Sequence, residues 1–333
     1  MNYVVVDFEW NQNPYRKVPA NRRMPFEIIE IGAVMLDENL KEIDRFSQTV
    51  RPKLYKKLHY KTKEITGITQ RELDRSDPFK FVAVDFMLWC GDDYTFCTWG
   101  DTDLIELQRN LKYYGLLDLL PGPIRYYNLQ KMFRYMYMPG TEAASLETAT
   151  DFFHISKDKK FHRAVNDAAY TAEIFKHYDL EKADRLYSVD YYQNPKTRDE
   201  EIYLVYDDCS EFVSREFNTR EELMADKEVR STRCFLCGRA ARKKLYWFTG
   251  RTKAHYCLAY CPEHGYISGN IKIKKTDDDK KCYAVKTLRL VDEAGAEHIR
   301  TMKKDIIDKR WDRRHRGTSR RQAGTESPQK KKE

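Results

Sequence analysis

Residues 3–10 read YVVVDFEW, an apolar run that ends in two acidic residues and a tryptophan. The β-branched valines predict a buried strand, and side chains two residues apart on a strand point to the same face. Asp7 and Glu9 therefore share one face, while Phe8 points to the opposite face and is expected to pack in a core. Two neighbouring carboxylates repel each other and lose hydration unless a cation neutralises them, and oxygen ligands favour Mg²⁺ or Mn²⁺. Taken alone, the pair is also consistent with a strand end that reaches solvent.

A second acidic motif follows a predicted strand at residues 94–100, YTFCTWG. Apolar residues then recur at helical spacing from position 104 to 114, and a glycine follows them. Asp103 begins this predicted helix on the side that faces the domain, so we prefer it as a metal ligand over Asp101, two residues earlier. An aspartate at a helix N-terminus is also a good cap, and capping alone would account for either residue.

A third motif, FHRAVNDAAYTA, occupies residues 161–172. Its small alanines favour a helix that lies close to its neighbours. His162 and Asp167 are five residues apart, about 140° around a helix, so the histidine is expected in the loop before the helix and the aspartate in its first turns. The unperturbed pKa of histidine, about 6.5, suits a general base. A surface histidine beside a helical aspartate is the alternative for this motif alone.

Together the three motifs, in the order D-x-E, W-G-D-x-D-L and H-x-A-x-x-D-A, resemble the DEDDh-type 3′–5′ exonucleases of the RNase H-like superfamily. EIIEIGAV (27–34) and EITGIT (64–69) match the same family. The resemblance covers residues 1–180 and is nearest to the KapD and Eri-type branch. A tyrosine-type relative would carry tyrosine where this chain has Arg163. Trp10 and Asn11 depart from the common D-x-E-T pattern, which affects the expected contacts with a 3′ end.

The resemblance implies an α/β fold with a mixed central sheet flanked by helices. It implies two Mg²⁺ or Mn²⁺ ions, with Asp7 bridging both, and His162 as the general base. The substrate would be single-stranded nucleic acid, RNA in preference to DNA, shortened from its 3′ end to give 5′-mononucleotides. A KapD-like regulatory scaffold and a DNA repair or proofreading exonuclease are the alternatives, and RNase T-like relatives can pair as homodimers. The implied site residues are four metal ligands, a base and two substrate contacts: Asp7, Glu9, Asp103, Asp167, His162, Phe8 and Trp10.

A cysteine cluster marks a second module. Cys234-x-x-Cys237-Gly and Cys261-x-x-His264-Gly form two knuckles separated by 23 residues, enough for a short hairpin. This spacing is typical of a zinc-ribbon-like site with one structural Zn²⁺. Cys257 and His255 are alternative ligands, with Cys257 able to displace His264, although Cys257 also fits a strand. The segment between the knuckles, RKKLYWFTGRTKAHY (242–256), interleaves cations with aromatic rings and suits either nucleic acid or a docked protein.

The chain has 333 residues, of which 34% are charged, and its net charge is +8. Residues 300–333 contain thirteen Lys or Arg and five Asp or Glu, so the whole excess lies at this end, which can bind a polyanion or remain a solvated end. No apolar run reaches the roughly 18 residues of a membrane span. With no basic leader before the first strand, we expect a cytoplasmic protein that does not engage membranes.

We expect four regions. They are an exonuclease domain (1–180), a connecting segment (181–229), a zinc-ribbon-like β module (230–290) and a basic, largely disordered tail (291–333). Residues 166–187 are expected to form one strong helix.

Overall fold

The computed structural model describes residues 1–15, 19–139, 141–250, 252–276 and 278–322. Its internal contacts divide the chain into two compact units, Met1–Gln193 and the remainder from Asn194. Among the described residues, no helix combines the length and the apolar character that a membrane span requires.

The first unit is built on a seven-stranded mixed sheet in the order β4-β3-β2-β1-β5-β6-β7. Its strands are β1 (Asn2–Gln12), β2 (Phe26–Leu36), β3 (Glu42–Arg51), β4 (Asp77–Pro78), β5 (Tyr94–Thr98), β6 (Ile124–Asn128) and β7 (Ser188–Asp190). Its helices are α1 (Tyr60–Thr66), α2 (Gln70–Arg75), α3 (Phe79–Cys90), α4 (Thr102–Tyr113), α5 (Leu129–Tyr137), α6 (Leu146–Phe152), α7 (Ala164–Phe175) and α8 (Leu180–Arg185). The central strand β1 runs antiparallel to β2 and parallel to β5. The predicted mixed sheet flanked by helices is confirmed.

The alternation of β1 separates two hydrophobic cores, one on each face of the sheet. Val4, Val6 and Phe8 pack in one core with the apolar faces of α3 and α4. Tyr3 and Val5 pack in the other with α5 and α7. Because both faces are covered, the polar residues at the end of β1 lie beside two helix layers.

The predicted single helix over 166–187 is wrong, because the chain forms two helices. Helix α7 ends at Phe175, and α8 starts at Leu180. Asp179 caps the second helix, since its side chain accepts hydrogen bonds from the backbone N–H groups of Glu181 and Lys182. Such a side-chain cap favours a new helix start over continuation.

The second unit contains a six-stranded sheet in the order β10-β11-β12-β13-β9-β8. Its strands are β8 (Ile202–Val205), β9 (Cys209–Val213), β10 (Arg242–Thr249), β11 (His255–Cys261), β12 (Gly265–Lys275) and β13 (Cys282–Val291), and its helices are α9 (Arg220–Ala225) and α10 (Glu293–Gln322). All the strand pairs of this sheet are antiparallel.

The division of the chain differs from the predicted boundaries at 180 and 230. Strand β7 belongs to the first unit, where Gln108 donates from Nε2 to Asp190 Oδ1 at 2.6 Å and Gln193 donates to Gln108 Oε1 at 2.9 Å. Strands β8 and β9 belong to the second sheet because β9 pairs with β13. Residues 181–229 therefore do not form a separate connecting segment.

The tail prediction is also corrected over much of its length, because 293–322 form helix α10. The start of this helix is amphipathic: Ala296 and Ile299 are buried against Leu258 of β11. Arg300 reinforces the same turns by donating to Glu293 and Glu297, each at 2.9 Å. The last part of the predicted tail, 323–333, lies outside the described residues.

Candidate active site

The first two acidic residues lie on strand β1, just beyond the point where its pairing with the parallel strand β5 ends. The pairing with β5 ends at Val5 and Cys97, and Asp7 and Glu9 follow on β1. The β1–β2 register shifts directly after Glu9, and such irregularities re-aim side chains beside functional sites. Both residues are half-buried.

Phe8 does not share this surface. Its side chain is 3% exposed and packs edge-on against Phe86, with ring centroids 6.2 Å apart. The core position expected from the strand pattern is confirmed, and the side chain is therefore unavailable to a substrate. Trp10 is half-buried beside Phe26, and its contact with substrate remains a prediction.

Asp103 and Asp101 occupy different environments. Asp103 is buried in the first turn of α4, and its carboxylate accepts a hydrogen bond from the backbone N–H of Phe8. This bond ties the start of α4 to strand β1 beside Asp7. Asp101 is exposed at the N-cap position, and no side-chain capping bond forms there. The geometry thus brings Asp103, the preferred residue, to the acidic cluster.

His162 precedes α7 and Asp167 lies in its first turn, as the angular spacing predicts. The backbone of His162 is in the left-handed region, with φ of 63°, a conformation that costs a non-glycine residue roughly 1–3 kcal/mol. Asp167 supports it, since its Oδ2 accepts from the backbone N–H of His162 at 2.9 Å. The imidazole is left exposed to solvent.

Helix α7 also holds the loop that leads to His162. The hydroxyl of Tyr170 accepts from the backbone N–H of Lys159 and donates to the same residue's carbonyl, at 2.8 and 2.7 Å. Asn166 donates to the carbonyl of Lys160 at 2.8 Å. The ring of Phe161 stacks on Tyr170 with centroids 4.6 Å apart. The histidine is thus exposed but placed by a fixed loop.

The acidic cluster is electrostatically frustrated. Burial raises the pKa of Asp7 well above its ordinary value, and the charges of Asp103, Asp167, Glu9 and Glu30 raise it further. Burial is also the main cause that raises the pKa of Glu9 to about 8, of Asp103 to about 7 and of Asp167 to about 6. Carboxyl groups crowded in this way retain protons until a cation compensates their charge.

Glu30 is a fifth acidic residue that the motif comparison overlooked. It lies opposite Glu9 on β2 and is 1% exposed. Arg163 neutralises it, donating from Nη2 at 2.6 Å and from Nε at 3.0 Å, and the backbone N–H of Ala164 donates to its second oxygen at 3.0 Å. The sequence does carry a sign of this residue, because two glutamates interrupt the otherwise apolar run FEIIEIGAVML. The other, Glu27, accepts backbone N–H groups of residues 53–55 and is structural.

The cluster fits divalent cations. Glu9, His162 and Asp167 each offer a ligand atom within 4.8 Å of the others. Within the described part of the chain, Asp167 Oδ1 is buried with no hydrogen-bond partner, which is costly for a carboxylate unless a ligand reaches it. Carboxylate oxygens are the donors that Mg²⁺ and Mn²⁺ prefer.

A second ligand set lies in the second unit. Cys234, Cys237, Cys261 and His264 converge within 4.8 Å. The Sγ atoms of Cys237 and Cys261 are 3.7 Å apart, and His264 Nδ1 lies 3.5 Å from Cys234 Sγ. A tetrahedron with Zn–S bonds of about 2.3 Å has edges of about 3.8 Å, so the set has the size of a zinc site.

Neither alternative zinc ligand joins this set. Cys257 is buried in the sheet facing Gly269, and burial raises the pKa of its thiol to about 12. His255 contacts Thr249 across the hairpin, with His255 Nδ1 3.4 Å from Thr249 Oγ1. His264 therefore remains the fourth member.

The model of the exonuclease family RNase_T matches residues 4–175. The chain is 33% identical over 150 residues to the PolC-type DNA polymerase III of Clostridium perfringens, covering 45% of this chain and 10% of that protein. It is 28% identical over 182 residues to the Bacillus subtilis protein named Probable 3′-5′ exonuclease KapD, covering 54% and 85%. It is 28% identical over 159 residues to human 3′-5′ exoribonuclease 1, covering 44% and 45%.

Among solved structures, the nuclease domain of 3′hExo, a DEDDh family member bound to rAMP, is 23% identical with a TM-score of 0.49, covering 57% of this chain and 96% of that domain. The chain spans a tenth of the polymerase and less than half of the exoribonuclease it matches. The family match itself extends over more than half of this chain and includes the three acidic motifs and the histidine. The chain therefore belongs to the RNase_T exonuclease family.

Proposed function

We propose that this protein is a metal-dependent 3′–5′ exonuclease that shortens single-stranded nucleic acid and releases 5′-mononucleotides. The observation that carries the proposal is the buried, unsatisfied oxygen of Asp167 within a cluster of carboxylates whose pKa values are raised. Membership in an exonuclease family supplies the reaction class. The similarity to human 3′-5′ exoribonuclease 1 favours RNA, including short oligonucleotides, as the substrate, whereas the similarity to PolC leaves DNA as the alternative.

The carboxylates and the histidine have different tasks in this mechanism. When bound, two Mg²⁺ or Mn²⁺ ions would supply charge stabilisation to the attacking and leaving oxygens of the phosphate. Four carboxylates would hold the ions, and His162 would accept the proton of the attacking water at a ring nitrogen. The Glu30–Arg163 pair orients the loop that carries this histidine. The proposed ion ligands are Asp7, Glu9, Asp103 and Asp167.

A regulatory scaffold with an inactive nuclease fold is the rival function. The two are separated by incubating the full chain with 5′-labelled single-stranded RNA and DNA, with and without Mg²⁺ or Mn²⁺. A metal-dependent ladder that shortens from the 3′ end is expected, and the sugar that is degraded faster defines the substrate. Absence of cleavage of both strands under either metal would refute the enzymatic proposal.

Two variants, at aspartates only two residues apart, test whether Asp103 or Asp101 is the metal ligand. Asp103→Asn should lower kcat/KM by about a hundredfold or more, because even residues that only support metal ligands contribute 10–100-fold. Asp101→Asn should retain activity, since its side chain is exposed and outside the cluster. The reverse result would move the assignment to Asp101, and Asp7→Ala retaining full activity would remove the proposed metal site altogether.

We further propose that Cys234, Cys237, Cys261 and His264 hold one structural Zn²⁺. All four positions of a tetrahedron are filled by protein atoms, which is typical of structural rather than catalytic zinc. The ion would fix the two knuckles against the β10–β11 hairpin.

A further inference from the structure

The second unit lies outside the exonuclease family match, which ends at residue 175. One face of its sheet carries a group of aromatic rings. Tyr260 on β11 pairs with Tyr266 on β12, and their ring centroids are 5.1 Å apart. Phe248 on the edge strand β10 lies opposite Tyr256, with centroids 6.1 Å apart. The strand register places these rings on the same face as Leu258, against which α10 packs.

Cations from two different elements lie over these rings. Lys244 of β10 places its Nζ 5.4 Å from the centroid of Tyr260. On α10, the Arg300 guanidinium lies 5.2 Å from the centroid of Tyr266 and Lys303 Nζ lies 5.8 Å from that of Phe248. These residues form a cation–aromatic cluster, which consists of Lys244, Phe248, Tyr260, Tyr266, Arg300 and Lys303.

Exposed cations and an exposed ring also lie along the edge of the sheet. Residues 242–244, Arg-Lys-Lys, are exposed at the start of β10, which ends the strand order. Lys243 lies 5.6 Å from the ring of Tyr246, which is 67% exposed. An exposed ring beside exposed cations is the arrangement on which bases of a single strand can stack while its phosphates contact the cations.

The cluster has an excess of positive charge. Arg300 is compensated by Glu293 and Glu297. Within the described residues, by contrast, no carboxylate lies within salt-bridge distance of Lys244 or Lys303, for which the contacts found are with aromatic rings. From residue 300 to the end of α10 the sequence has ten Lys or Arg and three Asp. A partner of complementary charge is therefore a polyanion.

We propose that the cation–aromatic cluster, together with the adjoining edge of β10, binds a single-stranded nucleic acid. Phosphates would contact the lysines, and a base would stack on the exposed ring of Tyr246, the combination that sequence-tolerant strand-binding proteins use. The inference rests on the proposed function for the identity of the polyanion as a substrate strand. Nucleic acid is favoured over an acidic protein because exposed cations lie beside an exposed aromatic ring on this edge, as on single-strand-binding surfaces, and because the first unit belongs to an exonuclease family.

The test uses the full chain and a 5′-fluorescein-labelled single strand of 30 nucleotides, as RNA and as DNA. Binding is followed by anisotropy in buffer without Mg²⁺ or Mn²⁺ at several salt concentrations, and gels verify that the strand stays intact. The test variant, Lys244→Met with Lys303→Met, removes two charges and keeps the apolar stems that cover the rings. The control, Lys227→Met with Lys280→Met, removes the same charge from exposed positions of the same unit outside the cluster.

The cluster variant should raise Kd about tenfold and reduce the salt slope by about 1.4, because each phosphate contact to a single strand contributes about 0.7. The control should bind like the unmodified protein. Tyr246→Ala should weaken binding about fivefold or more through lost stacking without changing the slope. Equal binding by the cluster variant and the control would overturn the proposal, as would failure of the unmodified protein to bind either strand, which would leave a protein partner.

Cleavage of a labelled trinucleotide in Mg²⁺ separates this inference from the proposed function. Such a short substrate should be cleaved equally by the unmodified protein, the cluster variant and the control. Cluster-dependent binding without any cleavage would refute the exonuclease activity and support the binding surface. Loss of trinucleotide cleavage in the cluster variant would overturn the surface as a separate site.

Discussion

The carboxylate of Glu30 illustrates how one buried residue links the acidic cluster to the loop of the histidine. It faces Glu9 across two antiparallel strands, an arrangement that is unfavourable for like charges. The guanidinium of Arg163 offsets that repulsion at 2.6 Å, and Arg163 directly follows His162. The same carboxylate accepts the N–H of Ala164, the first residue of α7. Charge compensation and loop placement therefore depend on one ion pair.

We predict that Arg163→Gln lowers kcat by about 10–100-fold, the range seen when residues that support a metal ligand are changed, with little change in KM. Glu30→Gln should have a similar effect on kcat, because its amide oxygen can still accept from Ala164 but no longer pairs with the charged guanidinium. Arg45→Gln, which breaks an exposed pair with Glu42, is the control and should be neutral. Steady-state kinetics on a short oligonucleotide measures both constants. A change confined to KM would argue for substrate contact instead.

The raised pKa values at the acidic cluster predict how stability depends on pH when Mg²⁺ and Mn²⁺ are absent. The folded-state pKa values of Glu9, Asp103 and Asp167 are about 8, 7 and 6, whereas unfolded carboxyls titrate near 4. Between about pH 4 and 8 the folded protein therefore binds more protons than the unfolded chain, so its free energy of unfolding falls as pH rises.

Urea unfolding of the first unit between pH 5 and 8.5 should show this fall. Glu9→Gln should reduce it, because the amide cannot ionise, and Mg²⁺ should also reduce it by compensating the charge. Glu38→Gln, at an exposed turn, should leave the slope unchanged. A slope that is the same in all three proteins would mean that the cluster does not titrate in this window.

At the scale of elements, the contact between β2 and α7 sets the geometry of the site. Gly32 allows the backbones to approach so closely that an added Cβ would lie 2.0 Å from the nitrogen of Val165. This approach brings the start of α7, with Asp167, against the sheet that carries Glu9. The close contact follows from a missing side chain, so a single methyl group is sufficient to disturb it.

Gly32→Ala should destabilise the first unit by about 3 kcal/mol or more, the upper range for overpacking, and should lower activity in the fraction that folds. The matched control is Gly115→Ala at the end of α4, where a Cβ meets nothing within 4 Å but φ is +73°. That change should cost about 1–2 kcal/mol through backbone strain alone and spare the site. Urea unfolding with activity per folded molecule measures both effects. A smaller loss for Gly32→Ala than for Gly115→Ala would contradict the close-contact argument.

Local sequence patterns correctly predicted the strands and helices whose own residues show a clear periodicity. The run of valines in β1 and the apolar spacing of α4 both appear as expected. The spacing of His162 and Asp167 predicted the loop and helix positions of both. The Glu30–Arg163 pair was missed because its partners are 133 positions apart, and no local pattern reports such a contact. The end of α7 was not predicted because the apolar periodicity continues past it. The side chain of Asp179 nevertheless caps a new helix there.

At the scale of the whole chain, the boundary between units was also invisible to composition. Residues 181–229 were predicted to form a connecting segment, yet Asp190 and Gln193 are held by the buried side chain of Gln108. The residues after Asn194 supply two strands to the second sheet. Long-range pairing decided where each segment belongs. The tail was predicted to be largely disordered, but the first turns of α10 have an apolar face that β11 covers.

The stability of the second unit should depend on zinc. Its two knuckles are joined to the sheet by few apolar residues, chiefly Phe235, Ile267 and Leu288 around the cysteines. Structural zinc contributes on the order of 10 kcal/mol or more to folding in zinc-finger peptides, far more than such a small cluster supplies by burial. We therefore predict one zinc per chain in the purified protein, measured by elemental analysis.

Two cysteine variants distinguish ligation from packing. Cys237→Ala should lose the zinc and make 230–264 sensitive to protease, because Cys237 belongs to the converging ligand set. Cys257→Ala should retain one zinc per chain and lose only the stability of a buried thiol, because Cys257 faces Gly269 within the sheet. Loss of zinc from both variants would place Cys257 in the coordination shell, and retention by both would show that Cys237 is not required for zinc binding. The expected pattern is loss of zinc from Cys237→Ala alone, because each substitution removes one thiol and only Cys237 belongs to the converging ligand set, whereas Cys257 is buried within the sheet.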